Sequence, residues 1–249
     1  MTRRGGVKAE AGVTLIELLI AVTLVAMLST GMLFAVRAGM MTMEKSDSRL
    51  MANRRAASVM RILEAQVDGI MPVKAQCTPA ADNPAQMVSF FQGDPQALRF
   101  VSNYSLQEGI RGMPMILEFH VIGGENDTGV RLVVNEHIYT GPRATGSFCA
   151  GLVQDREGVP MPQFLPIQTS PGSFVLADKL AYCRFSYRFV PADPKLPALW
   201  LVHWPKPLLP NAIRIEMAPL VADSARVQPV TLTLPVHVTK DPMKTDYGY

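Results

Sequence analysis

Proline is missing from the first 71 residues of this 249-residue chain, although 20 follow from Pro72 onward. Proline removes a backbone donor and clashes inside a helix, so its absence over that length permits one continuous helix. Its later return every few residues suits short strands, sheet edges and loops. Charge is also scarce: between Val13 and Val36 the only charged side chain is Glu17, and Arg37 closes the run. Cysteine is limited to Cys77, Cys149 and Cys183, far apart and with no CxxC. An odd count allows one internal disulfide with one thiol over, and the sequence leaves the pair open. A net charge of +3 from 24 basic and 21 acidic side chains is too small and too evenly spread for nucleic-acid binding.

The familiar catalytic and ligand patterns are absent as well. There is no HExxH, no GxSxG elbow and no phosphate-cradling glycine loop, so the sequence predicts neither enzyme activity, nor a cofactor, nor a metal site. His120, His137, His203 and His237 each fall in or beside an alternating apolar run and read as partly exposed strand histidines. The stretch GENDTG, residues 124–129, lacks the alternating carboxylates and distal glutamate of a calcium loop and reads as a hairpin turn.

What is present divides at Pro72. The 24 residues from Val13 to Val36 would rise about 36 Å as a helix, enough to cross a hydrocarbon core of about 30 Å. Residues 37–71 continue as an amphipathic helix. Charged residues crowd between Glu44 and Arg55, as on a solvated or subunit-facing stalk. Ala56, Val59, Leu63, Val67 and Ile70 then recur at spacings of three and four, a stripe that belongs against a globular domain. Met27, Met32, Met40, Met41 and Met43 suit either helix-bundle contacts or lipid and stalk packing.

Beyond Pro72 the pattern is strands and turns. PMILEFHVIGGENDTGVRLVVNEHIYTG reads as a hairpin with a loop longer than two residues. KLAYCRFSYRFV alternates Leu180, Tyr182 and Arg184 against Ala181, Cys183, Phe185 and Tyr187. LPNAIRIEMAPL sets Ile213, Ile215 and Met217 opposite Arg214 and Glu216, and VQPVTLTLPVHV supplies a last strand. Ile213, Ile215 and Trp200 read as sheet core. Pro79 and Pro84, then Pro160, Pro162, Pro166 and Pro171, mark residues 78–84 and 158–172 as loops. Helix followed by strands predicts an α+β protein, a long N-terminal helix packed on a domain of antiparallel sheets.

Glu17 needs an explanation. A charge at the bilayer centre costs roughly 2.5–3.5 kcal/mol on insertion scales, so such residues are functional suspects. Arg3, Arg4 and Lys8 supply the basic start of a signal peptide, but the apolar run is too long and no A-x-A site follows. A plain signal anchor would fit the length but would leave Glu17 and Gly12 unexplained.

The residues GVTLIELLIAV resemble the leader of type IV prepilins, in which a glycine and a cleaved bond precede a hydrophobic residue and T-L-I-E. The resemblance implies a pilin-like fold and cleavage by prepilin peptidase between Gly12 and Val13, with methylation of the new Val13 amine. It makes Glu17 the fifth mature residue. Losing three basic residues and one acidic one would lower the net charge from +3 to +1. In a helix bundle the Glu17 carboxylate can then pair with a Val13 amine, and a buried charge is tolerable when paired. Val13 departs from the commoner Phe or Met, and no proline breaks the first half-helix.

The C-terminal half, through LADKLAYCRFSYRFV, LWLVHW and LPNAIRIEM, resembles the minor pseudopilin J family of type II secretion systems. Minor type IV pilins of the W kind share the outline. The resemblance implies residues 1–12 as leader, 13–36 as transmembrane and assembly helix, 37–71 as amphipathic helix, and 72–249 as a periplasmic β-rich domain. It further implies a single-pass inner-membrane protein that joins minor pseudopilins I and K at a pseudopilus tip. The competing reading is an enzyme or binding module held in the periplasm by a signal anchor.

Overall fold

In the computed structural model residues 13–78, 84–155, 158–221, 229–238 and 240–244 are described. The chain divides into two compact units, Met1–Met51 and Ala52–Tyr249. Helix α1, Leu15–Asp68, supplies the only secondary structure described in the first and opens the second. Every described side chain of the first unit is exposed. In the second unit the expected stripe is seen: Leu63, Val67 and Ile70 are buried in the main core, with Val59 packed against it.

The helix stops at Asp68, three residues short of the boundary read from the sequence. Pro72 disfavours helix in the residue before it. Gly69 also lies where a Cβ would stand 2.5 Å from Asn103 Oδ1 and 2.6 Å from Ser102 Oγ. This close approach lets the Asn103 N–H donate to the Gly69 carbonyl at 2.9 Å and sends Ile70 and Met71 into a strand.

Thirteen strands and one short helix follow among the described residues. They are β1 (Ile70–Met71), β2 (Lys74–Cys77), β3 (Gln86–Ser89), β4 (Gln92–Gly93), β5 (Ala97–Tyr104), β6 (Arg111–Gly123) and β7 (Val130–Ile138). After helix α2 (Pro142–Gly146) come β8 (Cys149–Gln154), β9 (Pro160–Phe164), β10 (Phe174–Phe189), β11 (Leu199–Leu201), β12 (Ala212–Pro219) and β13 (Val230–Pro235). The main sheet has nine antiparallel strands in the order β1-β5-β6-β7-β10-β12-β13, with β4 on β5 and β11 on β10. β2–β3 and β8–β9 form separate two-stranded sheets.

One face of the main sheet carries Leu98, Phe100, Leu117, Phe119, Phe185 and Ile213 into the core beside Leu63 and Val67 of α1. The opposite face, over β5 and β6, meets a second cluster in which Val101 and Ile116 pack with Ala75, Cys77, Val88 and Phe90. Two cores on the two faces of one sheet make this half a layered structure. The protein is α+β, as the helix-then-strand order predicts.

Four local readings need correction. β10 begins at Phe174, and its register shifts between Leu180 and Tyr182. An extra residue at such a bulge reverses the alternation, so Leu180 is buried together with Cys183, Phe185 and Tyr187 rather than exposed beside Arg184. Pro160 and Pro162 lie in β9, not in a loop. They sit two residues apart, so both missing N–H groups fall on the side away from β8, where a two-stranded edge tolerates them. Trp200 is half-buried outside the core, and the tryptophan in the core is Trp204. His120 is not partly exposed; it is 7% exposed, on the covered face of β6. The hairpin turn at residues 124–129 is present, a single 3-10 turn at Glu125–Asp127 closed by Gly129 in the left-handed region.

Candidate functional site

The apolar segment of the helix is the first element with chemistry to explain. Leu15–Met43 is long and apolar enough to cross a membrane. Its 29 residues rise about 43 Å, more than the hydrocarbon core requires. Three of its four hydroxyls bond back within the helix: Thr23, Thr30 and Thr42 donate to the carbonyls of Ile20, Ala26 and Ala38 at 2.7–2.9 Å. Such back-bonding removes free polar groups from a surface that faces lipid or other helices.

Glu17 lies in the first turn of α1. The N–H groups of Glu17 and Leu18 both donate to the Thr14 carbonyl, at 3.0 and 3.2 Å, which sets the helix start two residues after Val13. At this end the unpaired N–H groups and the helix dipole favour a negative charge. Val13 and Glu17 are both exposed, and among the described residues Glu17 has no ion-pair partner. A carboxylate on a largely apolar surface, one turn from the Gly12–Val13 bond in sequence, is thus free to meet a cation from another chain. Gly12 and the leader, residues 1–12, lie outside the described residues.

The second site is one that sequence reasoning missed. Arg99 of β5 and Glu118 of β6 face each other across the sheet and are 1% and 4% exposed. Arg99 Nε and Nη2 donate to Glu118 Oε1 at 2.9 and 2.6 Å, and Nη1 donates to Gln92 Oε1 at 2.6 Å. The other Glu118 oxygen accepts from Asn135 at 3.1 Å and meets His137 Nε2 at 3.0 Å. The guanidinium lies between the rings of Phe148 and Phe164, 5.2 and 5.1 Å from their centroids. Burial alone would raise the Glu118 carboxyl, but the Arg99 charge and the hydrogen bonds hold it below the ordinary carboxylate range. Burial lowers Arg99, opposed by Glu118. The pair has its hydrogen bonds filled from every side, which suits a structural clamp. Alternation marks Arg99 and Glu118 as outward-facing, and no local signal tells that β8 and β9 cover that face.

The cysteines left open by the sequence resolve as a Cys77–Cys149 disulfide and a buried free Cys183. The bridge joins β2 to the start of β8, next to Phe148 of the clamp. Burial pushes the Cys183 thiol up to about 12. His120 is held below its ordinary value by burial, partly opposed by Glu118, and its Nδ1 has no partner. His137 meets Glu118, while exposed His203 and His237 reach Asp94 and Asp68 at 3.1 and 4.0 Å. Among the described residues no three His, Cys, Asp or Glu side chains converge as metal ligands would.

Residues 7–33 match the prokaryotic N-terminal methylation motif. No curated protein sequence matches the chain. The motif and the apolar helix together support a type IV pilin-like protein. A motif of this type implies processing by a prepilin peptidase and assembly with other pilin-like subunits.

Proposed function

We propose that this protein is a non-catalytic minor pseudopilin of a type II secretion system, resembling the J subunit, anchored by a single span in the inner membrane with its β-rich domain in the periplasm. In this role it helps start the pseudopilus that drives folded proteins outward. The observation that carries the reading is Glu17, a lone carboxylate in the first turn of α1, in a 29-residue membrane-length segment whose one other charge is Arg37, inside a matched methylation motif. Unpaired, that charge is expensive in lipid; paired with the Val13 amine of a neighbour, it favours the bundle over the isolated helix. A signal-anchored enzyme would have no use for it.

The choice of J rests on the strands around Cys183, Trp200 and Ile213. The second reading is a W-like minor type IV pilin, favoured by the same leader and fold outline. The partner set separates the two. Full-length protein extracted in mild detergent and immunoprecipitated should bring down minor pseudopilins I and K. Recovery of pilus subunits alone would favour the second reading.

A further inference from the structure

The outer face of the main sheet is covered only in part. Over β5–β7 the small sheets and α2 close it, whereas over β10 and β12 Arg184 and Arg188 stand exposed, with Arg214 and Trp200 half-buried beside them. Arg214 lies opposite Ser186, and Arg188 opposite Trp200, so Arg214 crosses β10 above the small serine to reach the indole. Its guanidinium carbon stands 3.6 Å from the Trp200 ring centroid, and that of Arg184 stands 4.7 Å from the Tyr182 ring. Among the described residues none of the three arginines makes an ion pair, and the buried Nε of Arg214 has no acceptor. Glu216 of β12 lies opposite Arg184, and Asp178, further along β10, is engaged by Arg131 at 2.9 Å.

We infer that this face docks an acidic segment of a neighbouring pilin-like subunit, an inference that rests on the assembly role proposed above. Charge complementarity chooses the occupant. Arginines stacked on rings are fixed in direction and keep their N–H edges free, and a guanidinium edge fits a carboxylate with two parallel hydrogen bonds. The sheet spaces the three attachment points roughly 8 Å apart, alternating between two strands. Carboxylates at alternate positions of an extended segment, or one helical turn apart, come within reach of such a row.

The test is photo-cross-linking of the full-length chain in its own cells, with p-benzoylphenylalanine replacing Thr233, which is exposed beside Arg214. An adduct is expected with another prepilin-type subunit, at a segment bearing Asp or Glu. Its yield should fall at least about tenfold in Arg184→Glu/Arg188→Glu, since like charges across an interface repel strongly. It should return when the captured carboxylates are changed to Lys. Both arginines are exposed, so the variant should keep its circular dichroism spectrum and thermal midpoint. The inference is overturned by an adduct that survives the double reversal, that forms with phospholipid or a segment free of carboxylates, or that never forms in a processed, assembled protein. A chain that keeps its leader overturns the assembly role, and this surface with it.

Discussion

Arg99 and Glu118 are a pair in which each partner answers the other's desolvation. Removing one leaves the other charged, buried and unmatched, which typically costs about 3–5 kcal/mol. Arg99→Ala and Glu118→Ala should each lower the thermal midpoint sharply, and the double variant should cost clearly less than their sum, because the two share one interaction. Thermal denaturation of all three against wild type measures the coupling. Acid acts on the same cluster. Glu118 titrates lower folded than unfolded, so below its ordinary value of 4.5 the unfolded chain takes up the proton first and the folded state loses stability. His120 is also lower folded, so its contribution is lost as the pH falls below the ordinary 6.5. Chemical denaturation from pH 8 to 4 should therefore show stability falling below about 6.5 and more steeply below 4.5. Glu118→Gln should flatten the lower part.

At the scale of elements, the helix was readable because its signals agree. No proline interrupts residues 13–68, and the Val59–Leu63–Val67 stripe has one period throughout. The β6–β7 hairpin and the Ile213–Ile215–Met217 face were readable for the same reason, since alternation and turn residues coincide. The rest depended on contacts far apart in sequence. The bulge after Leu180 changes the period inside one strand, and only the register with β12 reveals it. Pro160 and Pro162 read as loop residues because a sequence does not show which side of a strand lacks a partner. Trp200 looked like core, yet Arg214 from the next strand but one covers it on the outer face. The clamp was hidden because Phe148, just before β8, and Phe164 of β9, which flank Arg99, lie 49 or more residues along the chain. The Cys77–Cys149 bridge anchors that cover across 72 residues. Closing a loop of that length restricts the unfolded chain by about 4 kcal/mol. Cys77→Ser/Cys149→Ser should melt lower than wild type by a corresponding amount, and its midpoint should no longer respond to reductant.

At the scale of the molecule, two surfaces have no use in an isolated chain: the apolar helix of the first unit and the arginine face of the second. In the proposed role a membrane covers the first before assembly and neighbouring helices cover it afterwards, with Glu17 matched by an amine that exists only once the leader is gone. That role would link processing and assembly through one carboxylate. The most direct measurement is the mass and N-terminal sequence of the protein recovered from membranes, with its co-purification with other pilin-like subunits, for wild type and Glu17→Ala. The account predicts that both begin at a methylated Val13 and that only wild type co-purifies with those subunits. A chain that still begins before Gly12, or a Glu17→Ala protein that assembles as well as wild type, would contradict it.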